Sequence, residues 1–240
     1  MNKKQANIIF NKYNPQDAVE RCPSGRASVR KQLNTYARAA VNLYGIISIK
    51  DFVEIFNSQN TEQTNEEEVF VLLLPGIINK NKSANGAEYC FYKKCIIHYW
   101  AMEDYNFGDF WLREQQNKKS YIPEKTEFLK YENENHEDKV QKKHWDKVFD
   151  FLFTECYKPE IVGLFNELKD CSQISGQFGL DEIQKNYDFS LDTKEQIQTF
   201  MNLLANAHNN TRMWINKGHS PEELFNNGKN LYEENKKESL

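Results

Sequence analysis

The feature that most constrains this chain is a change of period. Val29, Leu33, Tyr36, Ala37, Ala40, Leu43 and Tyr44 recur at spacings of three and four, the spacing of one apolar helix face, until Gly45. Ser48 with Asp51 has the form of a helix start, and Phe52, Val53, Ile55 and Phe56 follow as a second apolar face. Thr64 with Glu67 repeats the device ahead of Val69, Phe70, Leu72 and Leu73, and Pro75-Gly76 predicts the end of that third helix. After Ser83-Ala84-Asn85-Gly86, Tyr89 to Tyr92 and Cys95 to Trp100 are dense in aromatic and β-branched residues and predict paired strands around Lys93-Lys94. Three helices followed by a hairpin predict a winged-helix-like module.

Charge bears on what such a module can touch. Residues 1–50 carry nine Lys and Arg against two Asp and Glu, a balance of +7, whereas residues 51–75 carry none against six, a balance of −6. The helix that would enter a DNA groove therefore opens on Glu66-Glu67-Glu68, and carboxylates oppose a polyanion. They also suit the positive end of a helix dipole, which is the plainer reading. If nucleic acid is bound, the basic side chains Arg26, Arg30, Lys31 and Arg38 and the ribbon lysines Lys93 and Lys94 are the candidates for phosphate contact.

At 240 residues and a net charge of −4, the chain has room for two ordinary domains and no general attraction to polyanions. Residues 1–26, with Pro15, Pro23 and Gly25, predict an irregular basic arm, and 27–131 the winged-helix-like module with its following helices. Within the latter, Asp104 to Gln116 predicts a helix and Pro123-Glu124 another helix start. Glu132 to Lys143 is charged and predicts a domain boundary or a solvated turn of helix. Residues 144–228 predict a helical domain. Its stripes are Trp145-Val148-Phe149-Leu152, Ile161-Leu164-Phe165-Leu168 and Ile197-Phe200-Met201-Leu204. A short helix is expected over Leu180 to Tyr187, and residues 229–240 are expected to fray. The fold class is thus mainly α, a winged-helix-like N-terminal module with a β-hairpin plus a C-terminal helical domain.

Chemistry is sparse. The five cysteines, Cys22, Cys90, Cys95, Cys156 and Cys171, are odd in number and lack CxxC spacing, which suits free thiols in a reducing compartment. Cys90 and Cys95 also have the spacing to face each other across the ribbon. His136 and His144 flank acidic residues at a spacing too loose for a metal site, no GxSxG elbow is present, and no metal or cofactor is expected. No apolar run is long enough to span a bilayer and the N-terminus leads into no signal-peptide core, so a cytoplasmic protein is expected.

The densest polar stretch is Asn209-Asn210-Thr211-Arg212-Met213-Trp214, continuing to Gly218-His219-Ser220-Pro221-Glu222-Glu223-Leu224. Arg212 and His219 suit an anion and Trp214 a stacked partner; the alternative is an ordered interhelical corner with Trp214 in the core. The segment resembles a corner of poorly characterised proteins of low-GC Gram-positive bacteria and their phages, some of which carry a following SEC-C zinc motif. Leu43-Tyr44-Gly45-Ile46-Ile47 and Tyr121-Ile122-Pro123 are similar to stretches of the same group. This chain shows no cysteine-rich tail, so the resemblance implies architecture and no metal.

These observations predict a non-enzymatic binding or regulatory protein that acts through protein contact, with Glu66, Glu67, Glu68, Trp100, Arg212, Trp214 and His219 as candidate contact residues. The aromatics of the ribbon fit an interface core. The alternatives are a winged-helix DNA-binding regulator and an enzyme with a site between the two halves.

Overall fold

A computed structural model describes residues 24–78, 88–102, 107–155, 160–174, 187 and 191–228. Expectations for the arm before Ser24, the Ser83–Gly86 loop, the Leu180–Tyr187 helix, the tail from 229, Cys22 and Cys156 lie outside the described residues. The chain divides into two compact units. One comprises 1–116 and 122–136, the other 117–121 and 137–240, so the chain crosses between them more than once. The described residues are mainly helical, with one small antiparallel sheet.

The first unit is built on α1 (Ala27–Tyr44). Its second half is buried almost all round, since Tyr36, Ala37, Ala39, Ala40, Val41, Leu43 and Tyr44 are all inside. The alanines at 37, 39 and 40 present little bulk to the helices packed against them. Asn42 on that helix is buried too, and its Nδ2 donates to the Tyr131 carbonyl at 2.8 Å. Gly45 caps the helix at φ 70°, a conformation open to glycine and strained for other residues.

Directly after that cap lies β1 (Ile46–Ser48), a strand that the spacing of apolar residues does not predict. Three residues are too few to show alternation, and what makes them a strand is distant pairing with β3 (Cys95–His98). β3 also pairs with β2 (Tyr89–Tyr92), giving the order β1-β3-β2. Every side chain of central β3 is buried. The strand ends at His98, so Tyr99 and Trp100 belong to a 3-10 turn (Tyr99–Met102) and not, as expected, to the ribbon. The register sets Cys90 opposite Ile97 and Cys95 opposite Tyr92, so the two cysteines are not directly opposed across the ribbon.

Ser48 caps α2 (Ile49–Gln59), its Oγ accepting from the Asp51 N–H at 3.0 Å. The next cap differs from the expected one. α3 (Glu66–Ile78) is capped by Asn65, whose Oδ1 accepts from Glu68 N–H at 2.9 Å, while the Thr64 hydroxyl donates to the Glu68 carboxylate. α3 also runs past Pro75, which forfeits one backbone bond because the ring nitrogen has no hydrogen to donate to the Val71 carbonyl. Phe52, Phe56, Leu72 and Leu73 are all buried, Phe56 edge-on to Tyr36 of α1, each contributing about 2 kcal/mol by burial.

α4 (Phe107–Glu114) packs through Trp111 and through Gly108, where an added Cβ would lie 2.6 Å from Cε1 of Tyr92. The short helix α5 (Lys125–Phe128) sets Phe128 against Tyr36 and Tyr44.

In the second unit α6 (Lys139–Glu155), α7 (Ile161–Ile174) and α8 (Lys194–Asn209) share one core. The predicted stripes supply it: Trp145, Val148 and Leu152 meet Ile161, Leu164 and Leu168, and Phe200, Leu204 and Ala207 close it. Thr193 and Gln196 form a complete capping box at the start of α8. A final helix, α9, spans 221–228.

Candidate functional site

Of the basic candidates in the first unit, half are already paired. Arg26, in the 3-10 turn before α1, forks onto Glu68 with Nε and Nη2 at 2.6 and 2.8 Å and donates to the Gln63 carbonyl. The bonds from Arg26 hold the Glu68 carboxyl below its usual range, against the upward push of partial burial. Arg38 pairs with Glu132 and Lys93 with Asp109. Arg30, Lys31 and Lys94 make no ion pair among the described residues; Lys31 and Lys94 are exposed and Arg30 half-buried. Six separate cations thus reduce to three that are not neutralised by a carboxylate.

The acidic helix start separates in the same way. Glu68 belongs to Arg26 and Thr64, whereas Glu66 and Glu67 stand exposed at the tip of α3. Beyond Glu68 the helix reads Val-Phe-Val-Leu-Leu-Leu-Pro-Gly-Ile-Ile, without one side chain able to hydrogen-bond a base edge. Val69, Leu72, Leu73 and Leu74 are buried, while Phe70, Val71 and Ile77 are only half-buried. Phe70 stacks on Phe91 of β2 with ring centroids 4.7 Å apart. The aromatics of the ribbon divide likewise. Tyr89 and Tyr92 are buried, and the Tyr89 hydroxyl donates to Asn34 Oδ1 at 2.6 Å. Trp100 is 63% exposed and is no part of the core.

The polar corner of the second unit turns its hydrogen bonds inward. After α8, Asn210 to Ser220 closes a loop on itself: Gly218 N–H reaches the Met213 carbonyl at 2.9 Å, with Lys217 and Gly218 both at positive φ. Trp214 is buried, which is the interhelical-corner placement. The buried Thr211 hydroxyl donates to the Ala207 carbonyl and accepts from the Trp145 indole N–H at 2.9 Å.

Arg212 is buried at the centre. Its Nε donates to Asp138 Oδ2 at 3.0 Å, Nη1 to the Gly218 carbonyl at 3.0 Å and to Glu223 Oε2 at 2.7 Å, and Nη2 to Glu223 Oε1 at 2.8 Å. The guanidinium carbon lies 3.6 Å from the centre of the Tyr121 ring, which also meets His219 edge-on. Glu223 completes a capping box with Ser220 at the start of α9. Burial would raise the Glu223 carboxyl, but hydrogen bonds and charge from Arg212, the Ser220 N–H and nearby His219 together hold it below its usual range. An anion approaching Arg212 would meet two carboxylates already in place, so the group acts as a clasp for its own chain. It grips 117–121 as well: Tyr121 N–H donates to the Lys217 carbonyl and Lys118 Nζ to the Ile215 carbonyl.

Ser172 Oγ and His208 Nδ1 lie 2.9 Å apart, a nucleophile-and-base distance, with Ser172 completely buried. Among the described residues no group of three or more His, Cys, Asp or Glu converges on a metal position: His136 bonds Glu127 at 3.0 Å, and burial, with Lys147 and Lys143, lowers the His144 pKa. The sequence does not reveal that Asp138 and Tyr121 serve Arg212, or that Phe70 meets Phe91. Glu223 carried a visible signal, its place three residues after Ser220.

Family models, curated proteins and solved structures were each compared with this chain, and none gave a significant match. No helix among the described residues is long and apolar enough to cross a membrane.

Proposed function

We propose that this is a non-enzymatic, cytoplasmic binding or regulatory protein whose first unit is a winged-helix-like module used for protein contact. The element order of that unit, α1-β1-α2-α3-β2-β3 with strand order β1-β3-β2, supports the winged-helix-like reading. The observation that carries the choice of partner is α3. The helix in the position of a DNA reader offers exposed Glu66 and Glu67, then half-buried Phe70, Val71 and Ile77. Side chains of that kind suit a protein surface with apolar and basic groups, and they give neither phosphate contacts nor base readout. Exposed Trp100 adds a rigid aromatic of the type that anchors interfaces.

A nuclease-treated affinity capture from a bacterial lysate tests this reading. The wild-type chain should retain a protein, and a chain carrying Glu66→Lys, Glu67→Lys and Trp100→Ala should lose at least ninety per cent of it. Loss of every captured component on nuclease treatment would count against protein contact.

One observation favours the DNA-binding alternative: Arg30, Lys31 and Lys94 are not tied into ion pairs among the described residues. That reading requires affinity falling steeply with salt, and Lys94→Glu should weaken it about equally for all sequences.

A further inference from the structure

We propose that the outward face of α8 is a self-association surface whose partner is a second copy of this chain. The inference is independent of the function proposed for the first unit. Its starting point is a gap in the charge pattern. The chain is 28% Asp, Glu, Lys and Arg, yet residues 196–211 contain none. A run of that length would ordinarily carry roughly four, and an exposed helix face is where they should be.

The face is exposed and organised. Ile197, Met201 and Ala205 follow one another at intervals of four, and Ile197 and Met201 are 46% and 43% exposed. Beside them runs a line of amides, Gln198, Asn202 and Asn206, all exposed. Gln198 Nε2 donates to Asn202 Oδ1 at 3.0 Å and Asn206 Nδ2 to the Asn202 carbonyl at 2.8 Å, so their internal bonds stay within α8 and tie no second element to it. Ile197 and Met201 edge the stripe of Phe200, Leu204 and Ala207 that enters the core, and the amide line stands on the side away from that stripe. His208 at the far end adds no charge at neutral pH, because burial lowers its pKa.

Packing inside the unit does not explain this composition. Asparagine is a poorer helix former than lysine or glutamate by several tenths of a kcal/mol, and at solvated positions those residues would also aid solubility. Helicity and charge have both been given up along one line, which is the pattern of a surface that becomes covered.

The chemistry then selects the occupant. A carboxylate or ammonium line repels a copy of itself, whereas an amide both donates and accepts and so complements its own kind. A basic, acidic or nucleic-acid partner would find no charge to recognise here. Two copies of α8 laid antiparallel across a two-fold axis match Ile197 and Met201 to apolar groups and amides to amides, and Ala205 allows close approach. The helix is only about 24 Å long, so the buried area falls at the small end of specific interfaces and the association is reversible, in the micromolar range.

Sedimentation equilibrium of the full chain under reducing conditions, from about 5 to about 200 µM, tests the proposal. The expected result is a mass rising from 28.4 kDa toward twice that value, with Met201→Lys and Ile197→Glu each weakening association at least tenfold. Both positions are exposed, so circular dichroism should be unchanged. Asn202→Lys, which alters no apolar group, should weaken association through like charge alone. A monomer throughout the range would overturn the inference, and so would a dimer indifferent to all three substitutions.

Discussion

The corner around Arg212 and the helix α3 make an instructive pair. The corner holds the densest run of hydrogen-bonding residues in the sequence and directs them inward: Arg212 takes Asp138, Glu223, the Gly218 carbonyl and the Tyr121 ring for itself. α3 is almost wholly apolar after Glu68 and yet leaves Phe70, Val71 and Ile77 partly open beside two exposed carboxylates. Polarity in a sequence therefore does not mark a binding surface by itself. What matters is whether a side chain's partners are supplied by its own fold.

That contrast can be broken most forcefully at Arg212. Arg212→Ala would leave two carboxylates without their counter-charge, and the expected loss is about 3–5 kcal/mol, or roughly 10 °C in the thermal midpoint. Arg212→Lys should recover only part, since an ammonium cannot reproduce the fork onto Glu223. A midpoint unchanged in Arg212→Ala would show that the clasp contributes nothing to folding.

A second test asks whether the first unit has a polar core group of its own. His98 in β3 is buried, its Nδ1 accepting from the Trp100 N–H at 3.3 Å, and burial lowers its pKa from 6.5 to about 4. Between those values the unfolded chain takes up a proton that the folded chain refuses. Its contribution to stability is therefore complete above about pH 6.5 and is lost as pH falls, reaching about 3 kcal/mol near pH 4. Denaturant melts across that window should show the slope in the wild type and a flatter one in His98→Gln.

Gly108→Ala comes next: the new methyl meets the Tyr92 ring, and overpacking of this kind costs about 1–3 kcal/mol. Smallest of all are Trp100→Ala and the double change Glu66→Lys, Glu67→Lys. Each should alter stability by less than about 0.5 kcal/mol in chemical melts, because these side chains lie outside the core. A large loss at Trp100 would transfer it from the surface to the fold.

Much of the helical layout was legible because it is written in local periodicity. The α1 stripe, the Ser48 cap and the three stripes of the second unit depend on neighbours within one or two turns. What escaped depends on distant residues. β1 is a strand only because Ile46 and Ile47 meet Ile97 and Ile96, some fifty positions on. The cap of α3 fell to Asn65 because the hydroxyl of Thr64 is engaged by Glu68, whose other oxygen contacts Arg26. The corner was recognisable as a corner, since Ser220 and Glu223 announce a helix start. Its cohesion was not, because Asp138 lies 74 positions from Arg212 and looks in the sequence like one more solvated charge.

The account rests on α3 being a protein-facing helix, and one measurement meets that claim directly: fluorescence anisotropy of duplex and single-stranded DNA titrated with the full chain at low salt, repeated as salt is raised. The account predicts no saturable binding, because α3 offers carboxylates where phosphates would lie and half the cationic candidates are already paired. Saturable binding whose affinity falls steeply with salt, and which is lost in Lys94→Glu, would contradict it.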